Sequence, residues 1–122
     1  TETVLIVEDE EAVLNLVKGV LERLGYTVLT ARKAEDALNL AEEYPEQIDL
    51  LLTDIVMTDM NGSELSKRIG GIRPGIKCLF MSGYTSDIIT HHGILEEGVN
   101  FISKPFTLRK LSDKIRELLG TG

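Results

Sequence analysis

Five short apolar runs punctuate the chain: Val4–Val7, Thr27–Ala31, Leu50–Thr53, Ile76–Met81 and Val99–Ser103. Each is followed by a turn and then by a segment whose apolar residues recur at helical spacing. After the first run, Ala12, Val13, Leu16, Val17, Val20, Leu21 and Leu24 form such a series, with Gly25 as its C-terminal stop. Ala34, Ala37, Leu38 and Ala41 predict a second helix closed by Pro45, and Leu65, Ile69 and Ile72 a third ended by Gly70, Gly71 and Pro74. The fourth, around Ser86 to Leu95, has the least helical propensity, because Ile88 and Ile89 are β-branched and Gly93 interrupts it. Thr107 is expected to cap a last helix carrying Leu108, Leu111, Ile115, Leu118 and Leu119 on one face.

Strict alternation of strand and helix with short loops predicts a parallel sheet covered on both faces. The strand compositions also predict an order. Val4–Val7, Leu50–Leu52 and Cys78–Met81 are continuously apolar, as strands buried on both faces must be, whereas Thr27–Ala31 and Val99–Ser103 admit Thr, Asn and Ser, as edges do. Edges at the second and fifth runs give an α/β, flavodoxin-like, doubly wound (βα)5 sandwich with a five-stranded parallel sheet in the order 2-1-3-4-5. With no linker, repeat or low-complexity tract, residues 1–122 read as a single domain.

Composition narrows the function classes. Thirteen basic against twenty acidic residues leave a net charge of −7, which argues against binding a nucleic-acid backbone. The single cysteine, Cys78, excludes an internal disulfide and a multi-cysteine zinc site, and a cytoplasmic, reducing compartment is expected. No apolar run is long enough to span a membrane, and Thr1-Glu2-Thr3 has no basic n-region of a signal peptide. No glycine-rich phosphate loop follows the first strand, so a nucleotide site is not expected there.

In sheets of this kind the working crevice lies at the carboxyl ends of the strands. Those ends carry Glu8 and Asp9 after the first strand, Asp54 after the third, Ser82 after the fourth and Lys104 after the fifth. Three carboxylates packed together repel unless a cation sits among them, and hard oxygen ligands suit magnesium, with manganese as a substitute. An ammonium and a hydroxyl beside such a metal are what the oxygens of a phosphoryl group need.

Five motifs in order, Leu5-Ile6-Val7-Glu8-Asp9-Glu10, Asp49-Leu50-Leu51-Leu52-Thr53-Asp54, Asp59-Met60-Asn61-Gly62, Met81-Ser82-Gly83-Tyr84 and Lys104-Pro105-Phe106, make the chain resemble a response-regulator receiver domain of two-component signalling from Val4 to about Leu119. The resemblance implies that Asp54 is the phosphoacceptor in a phosphorelay. It implies that Asp9, Asp54 and the backbone carbonyl of Val56 bind Mg2+, with Glu8 acting through a metal-bound water. Ser82 matches the switch hydroxyl, Lys104 the lysine that pairs with a phosphoryl oxygen, and Phe101 the aromatic switch position, without the hydroxyl of the more usual Tyr. The Lys104–Pro105 bond is expected to be cis. The implied partner is a histidine kinase or a histidine phosphotransfer domain, and the implied switch is the face made by the fourth helix, fifth strand and last helix. Nucleic acid and membrane are not expected as direct contacts, and homodimerisation stays open. The isolated domain would phosphorylate and dephosphorylate itself at Asp54 without being a conventional enzyme. The start at Thr1 suggests a piece of a longer chain, and the blocks around Ser82 and Lys104 look similar to receivers at the C-terminal ends of hybrid sensor histidine kinases, which would make a covalently linked kinase core a further partner.

Two positions depart from the common pattern. Thr58 stands where proline is usual, which removes a fixed φ and predicts a more mobile loop from Val56 to Gly62. Val56 is apolar where other receivers place a polar side chain. Other residues have plainer readings. Glu10 and Glu11 suit a helix start, Gly62 a turn needing positive φ, Asp59 the cap of a turn, and Cys78 a small buried hydrophobe. His91 and His92 are adjacent and face different ways on a helix, so they read as solvated surface, as do Glu42, Glu43, Glu96 and Glu97. The alternative function is a receiver-shaped interaction module that is never phosphorylated, against which the complete acidic set with Ser82 and Lys104 speaks. A phosphohydrolase or Toprim-like nuclease would need an Asp-X-Asp pair, which neither Glu8-Asp9-Glu10 nor Thr53-Asp54-Ile55 supplies.

Overall fold

The computed structural model describes residues 2–56, 59–82 and 100–120. The order of elements is β1 (Thr3–Val7), α1 (Glu11–Arg23), β2 (Thr27–Ala31), α2 (Ala34–Glu43), β3 (Leu50–Asp54), α3 (Gly62–Ile72), β4 (Lys77–Ser82), β5 (Phe101–Ser103) and α4 (Leu108–Leu119). The predicted helix over Ser86 to Leu95, His91, His92, Glu96, Glu97 and Thr58 lie outside the described residues, as do Gly83 and Tyr84. All strand pairs are parallel and the sheet order is β2-β1-β3-β4-β5, as the strand compositions predict.

The sheet divides its side chains strictly by parity. Val4 and Ile6 of β1, with Leu50 and Leu52 of β3, face α1 and α4, where Leu14, Val17, Leu21, Leu111 and Ile115 complete one core. Leu5, Val7 and Leu51 point the other way, onto Ala34, Ala37 and Ala41 of α2 and Leu65 and Ile69 of α3. β1 and β3 are therefore buried from end to end, which explains the unbroken apolar runs Val4–Val7 and Leu50–Leu52 at their centres. The edge strand β2 is buried only at Ala31.

Three expectations need correction. The buried face of α1 is Leu14, Val17 and Leu21, whereas Leu16 and Leu24 are 56% and 44% exposed. The apolar residues of α1 cover more of its circumference than its neighbours do, so spacing alone could not pick the buried stripe. Gly70 and Gly71 do not end α3: both sit inside it, and the chain turns only after Ile72, with Gly75 at φ +89°. Gly62 has no positive φ, and its need for glycine has a different cause, given below. Other signals read as expected. Gly25 has φ +97° just past α1, the Tyr44 backbone before Pro45 is extended, and Thr107 accepts the Lys110 N–H at 3.0 Å to cap α4. Among the described residues no helix is long and apolar enough to cross a membrane.

Candidate functional site

Among the described residues five polar side chains are buried, and three of them, Glu8, Asp54 and Ser82, cluster at the carboxyl ends of β1, β3 and β4. Burying a charge is costly unless it is paired, so two buried carboxylates beside a buried hydroxyl at one end of a sheet mark a site rather than a fold requirement. The pairing comes from the far end of the chain. Lys104, just beyond β5, places its ammonium 2.7 Å from Glu8 Oε1 and 2.7 Å from Asp54 Oδ1. Its backbone N–H donates to the Ser82 carbonyl at 2.6 Å, and the Lys104–Pro105 peptide is cis, as expected. The Glu10 N–H donates to Glu8 Oε2 at 3.1 Å, so the Glu8 carboxylate is held from both sides.

One ammonium cannot neutralise two buried carboxylates. Burial, and then the neighbouring Glu8 carboxylate, push Asp54 up to about 7 against the pull of Lys104. Burial also acts on Glu8, but its hydrogen bonds with Asp54, Lys104 and the Glu10 N–H outweigh it and hold that carboxyl below the ordinary range. Below about pH 7 the pair therefore shares one proton, held chiefly on the Asp54 side. Burial works against the Lys104 charge too, but the two carboxylates outweigh it and raise its pKa above the usual value.

Asp9 is exposed and completes the acidic group: Glu8, Asp9 and Asp54 each bring a carboxylate oxygen into a set lying within 4.8 Å of one another. A trio of hard oxygen donors open to water on the Asp9 side fits a hard divalent cation, whose charge would take the place of the shared proton. Arg32, at the end of β2, steadies the Asp9 segment by donating to the Asp9 carbonyl at 2.9 Å, a contact with no sequence signal of its own. Phe101, the first residue of β5, is half-buried and packs with Phe80 and with Ile55, the residue that follows Asp54. Val56 is 61% exposed beside the site. Cys78 is half-buried, and burial pushes its thiol up to about 12, so it is unreactive near neutrality.

The segment between β3 and α3 carries two contacts that sequence reasoning misassigned. A Cβ at Gly62 would stand 2.2 Å from the Asp54 carbonyl oxygen and 3.0 Å from Ile55 Cα, so glycine is required by close approach and not by φ. The Gly62 N–H donates to the Ile55 carbonyl at 2.6 Å. Asp59 reaches beyond its own turn. Its carboxylate accepts the N–H groups of Ala34 and Glu35, at 3.3 and 3.1 Å, at the start of α2. Slight burial opposes its charge, but those N–H groups, its own backbone N–H and the Lys33 ammonium hold its carboxyl below the usual range.

A family model described as the response regulator receiver domain matches residues 4–116. The sensor kinase CckA of Brucella abortus (strain 2308) is 36% identical over 117 residues, which are 96% of this chain and 12% of that kinase. The response regulator receiver protein CpdR of the same organism is 33% identical over 116 residues, 95% of each chain. The chain thus spans a small part of the first relative and nearly all of the second. Among solved structures, the receiver domain of the hybrid histidine kinase CckA is similar at TM-score 0.82 and 35% identity, covering 96% of this chain and 98% of that one. A CheY-like receiver domain protein from Methanospirillum hungatei JF-1 is similar at TM-score 0.82 and 34% identity, covering 98% of this chain and 94% of that one.

Proposed function

The chain belongs to the response regulator receiver domain family of two-component signalling, and from that premise we propose that Asp54 accepts a phosphoryl group from a phosphohistidine on a partner histidine kinase or phosphotransfer protein. The observation that carries this reading is the placement of one ammonium, Lys104 Nζ, at 2.7 Å from both Asp54 and Glu8 with the Asp9 carboxylate in the same acidic group. The Asp54 carboxylate attacks phosphorus in line; its P–O bond forms as the P–N bond breaks, and the bonding pair leaves with the imidazole nitrogen. To attack, Asp54 must first release its proton. Mg2+ or Mn2+, held by Asp9, Asp54 and the Val56 carbonyl with Glu8 acting through a bound water, would offset the charge gathering on the phosphoryl oxygens.

Lys104 then exchanges a carboxylate partner for a phosphoryl oxygen, and the Ser82 hydroxyl meets another. Ser82 lies beside Ser103 in the β4–β5 pairing, and Phe101 lies beside Phe80, so a shift at Ser82 is felt directly along β5. Phe101 follows into the space Ser82 leaves, and the altered β5 face is the output. Lacking a hydroxyl, Phe101 makes an apolar contact with whatever partner reads that face. The acyl phosphate returns to aspartate by attack of water. The single cysteine fits a reducing compartment, and the exchange is assigned to the cytoplasm on that ground. The likeness to the CckA receiver favours a parent chain in which a kinase core is covalently linked.

The test is intact mass after incubation with acetyl phosphate and Mg2+, beside Asp54→Asn. A gain of one phosphoryl mass that requires Mg2+ and is absent in the variant is the expected result. No gain from acetyl phosphate or from a phosphorylated histidine donor would leave the chain a receiver-shaped interaction module.

A further inference from the structure

Helix α2 begins without a cap of its own. Its N-cap residue is Lys33, whose side chain makes no capping bond and has no acceptor to offer. The exposed N–H groups of Ala34 and Glu35 are taken instead by Asp59, twenty-four or more residues away in sequence, on the segment that joins β3 to α3. The same segment is pinned at its ends, by the Ile55 N–H on the Met81 carbonyl at 3.2 Å and by the Gly62 N–H on the Ile55 carbonyl at 2.6 Å. Met60 adds apolar contact with the core under α2 and α3, and Asn61 caps α3. Val56 stands between the first pin and Asp59, its side chain 61% exposed. Position 58, where a proline would stiffen this stretch, is threonine.

We propose that Asp59 is a positioning residue for the Asp54 site: its clasp on the start of α2 holds the segment carrying Val56, so that the Val56 carbonyl keeps one place relative to Asp9 and Asp54. The inference rests on the reading of that carbonyl as a metal ligand. A ligand on a segment without this tether must be ordered each time the cation binds, and that ordering is subtracted from affinity. Supports lying just outside a metal's own ligands commonly change affinity about 10–100-fold.

A cap and a clasp can be separated because Lys33 leaves room for a cap in cis. Asp59→Ala removes both roles. Adding Lys33→Asn gives α2 a side-chain cap of its own and leaves the β3–α3 segment without its link to α2. Asp59→Ala is expected to lower the urea midpoint and to weaken Mg2+ binding, measured by calorimetry. The double variant Lys33→Asn/Asp59→Ala is expected to recover the midpoint while its Mg2+ dissociation constant stays raised about tenfold and its Gly62 amide exchanges faster than in the wild type. Wild-type affinity in the double variant would overturn the clasp and leave Asp59 a helix cap. Wild-type Mg2+ binding that Asp54→Asn weakens supports the underlying metal reading, so the two failures are distinct: no Mg2+ binding by the wild type overturns both, and unaffected binding in the double variant overturns the clasp alone.

Discussion

Replacing Gly62 by alanine tests whether the phosphoacceptor strand is held by close backbone approach. The added Cβ would lie 2.2 Å from the Asp54 carbonyl oxygen and 3.1 Å from its carbonyl carbon, where real Cβ contacts essentially never fall below 3.0 Å. Reaching that limit needs about 0.8 Å of movement, and every atom in the way is backbone. No side chain can rotate aside, so either the end of β3 or the start of α3 must shift. The Gly62 N–H to Ile55 bond, at 2.6 Å, lies in the path of that shift. Overpacking of this kind costs about 1–3 kcal/mol. The entropic gain of alanine over glycine, about 0.5–1 kcal/mol, only partly offsets it. Net destabilisation of about 1–2 kcal/mol is expected in urea unfolding.

The control is the same substitution at Gly71 or Gly19, helical positions where a Cβ meets nothing within 4 Å. There the helix propensity acts alone, and alanine should stabilise by about 0.5–1 kcal/mol. The contrast in sign removes general effects of alanine from the comparison. Because the displaced atoms belong to Asp54 itself, Gly62→Ala should also slow phosphorylation by acetyl phosphate, and the controls should not. Gly62→Ala at or above wild-type stability, with Gly71→Ala stabilising as expected, would refute the close-approach argument.

Asp54→Asn should change how stability depends on pH in the absence of divalent cations. Asp54 keeps its proton up to about 7 in the fold but loses it near 3.8 when unfolded, so the folded state binds the extra proton between those limits and wild-type stability falls as pH rises through that window. Asparagine does not titrate, so the variant should gain on the wild type across the window and level off above it; parallel curves from urea unfolding would refute the shared proton. Lys104→Met leaves Glu8 and Asp54 facing each other without their ammonium. It should cost about 1–3 kcal/mol above neutrality, reduced from the full buried-pair value because Lys104 is partly exposed, and less below neutrality, where a second proton can replace the cation. Arg73→Ala removes a guanidinium that donates to the carbonyls of Ala41, in the last turn of α2, and of Tyr44 and Glu46 just beyond it. It should cost about 2 kcal/mol in unfolding and leave Mg2+ affinity at the wild-type value, because the contact lies at the other end of the sheet from Asp54.

The strand order could be read from composition because burial on both faces makes Val4–Val7 of β1 and Leu50–Leu52 of β3 continuously apolar up to the approach to the site. The candidate site was legible for the same reason. Charged residues at the carboxyl ends of strands have no structural excuse, and the Lys104 ammonium, just beyond β5, stands 2.7 Å from the carboxylates of Glu8 and Asp54 at the ends of β1 and β3. Helix faces were less legible where apolar residues outnumber the neighbours that cover them, as Leu16 on α1 illustrates. Gly70 and Gly71 look like stops, yet Leu65 and Ile69 are fully buried against the sheet, and that burial outweighs the cost of two glycines and carries α3 past them.

What stayed hidden is of one kind: contacts in which a residue serves an element remote from it in sequence. Gly62 carries a glycine signal, but the sequence cannot distinguish a positive φ from a backbone that must approach another backbone; only the position of Asp54 across the turn decides it. Asp59 reads as a local cap because acidic residues in loops usually are. The clue to its real use is at Lys33, a helix start occupied by a residue that cannot accept a hydrogen bond. A missing cap at one place and an unassigned carboxylate at another are complementary, since the N–H groups of a helix start must be satisfied by something. Pairing such deficits extends sequence reading beyond local pattern, and here it would join α2 to the segment beside the phosphoacceptor. Lys33→Asn alone tests that complementarity. Given a cap in cis, α2 should no longer depend on Asp59, so Asp59→Ala should cost less stability in that background than in the wild type by about 1 kcal/mol, the usual worth of one cap. Equal costs in the two backgrounds would mean that Lys33 and Asp59 do not serve the same N–H groups.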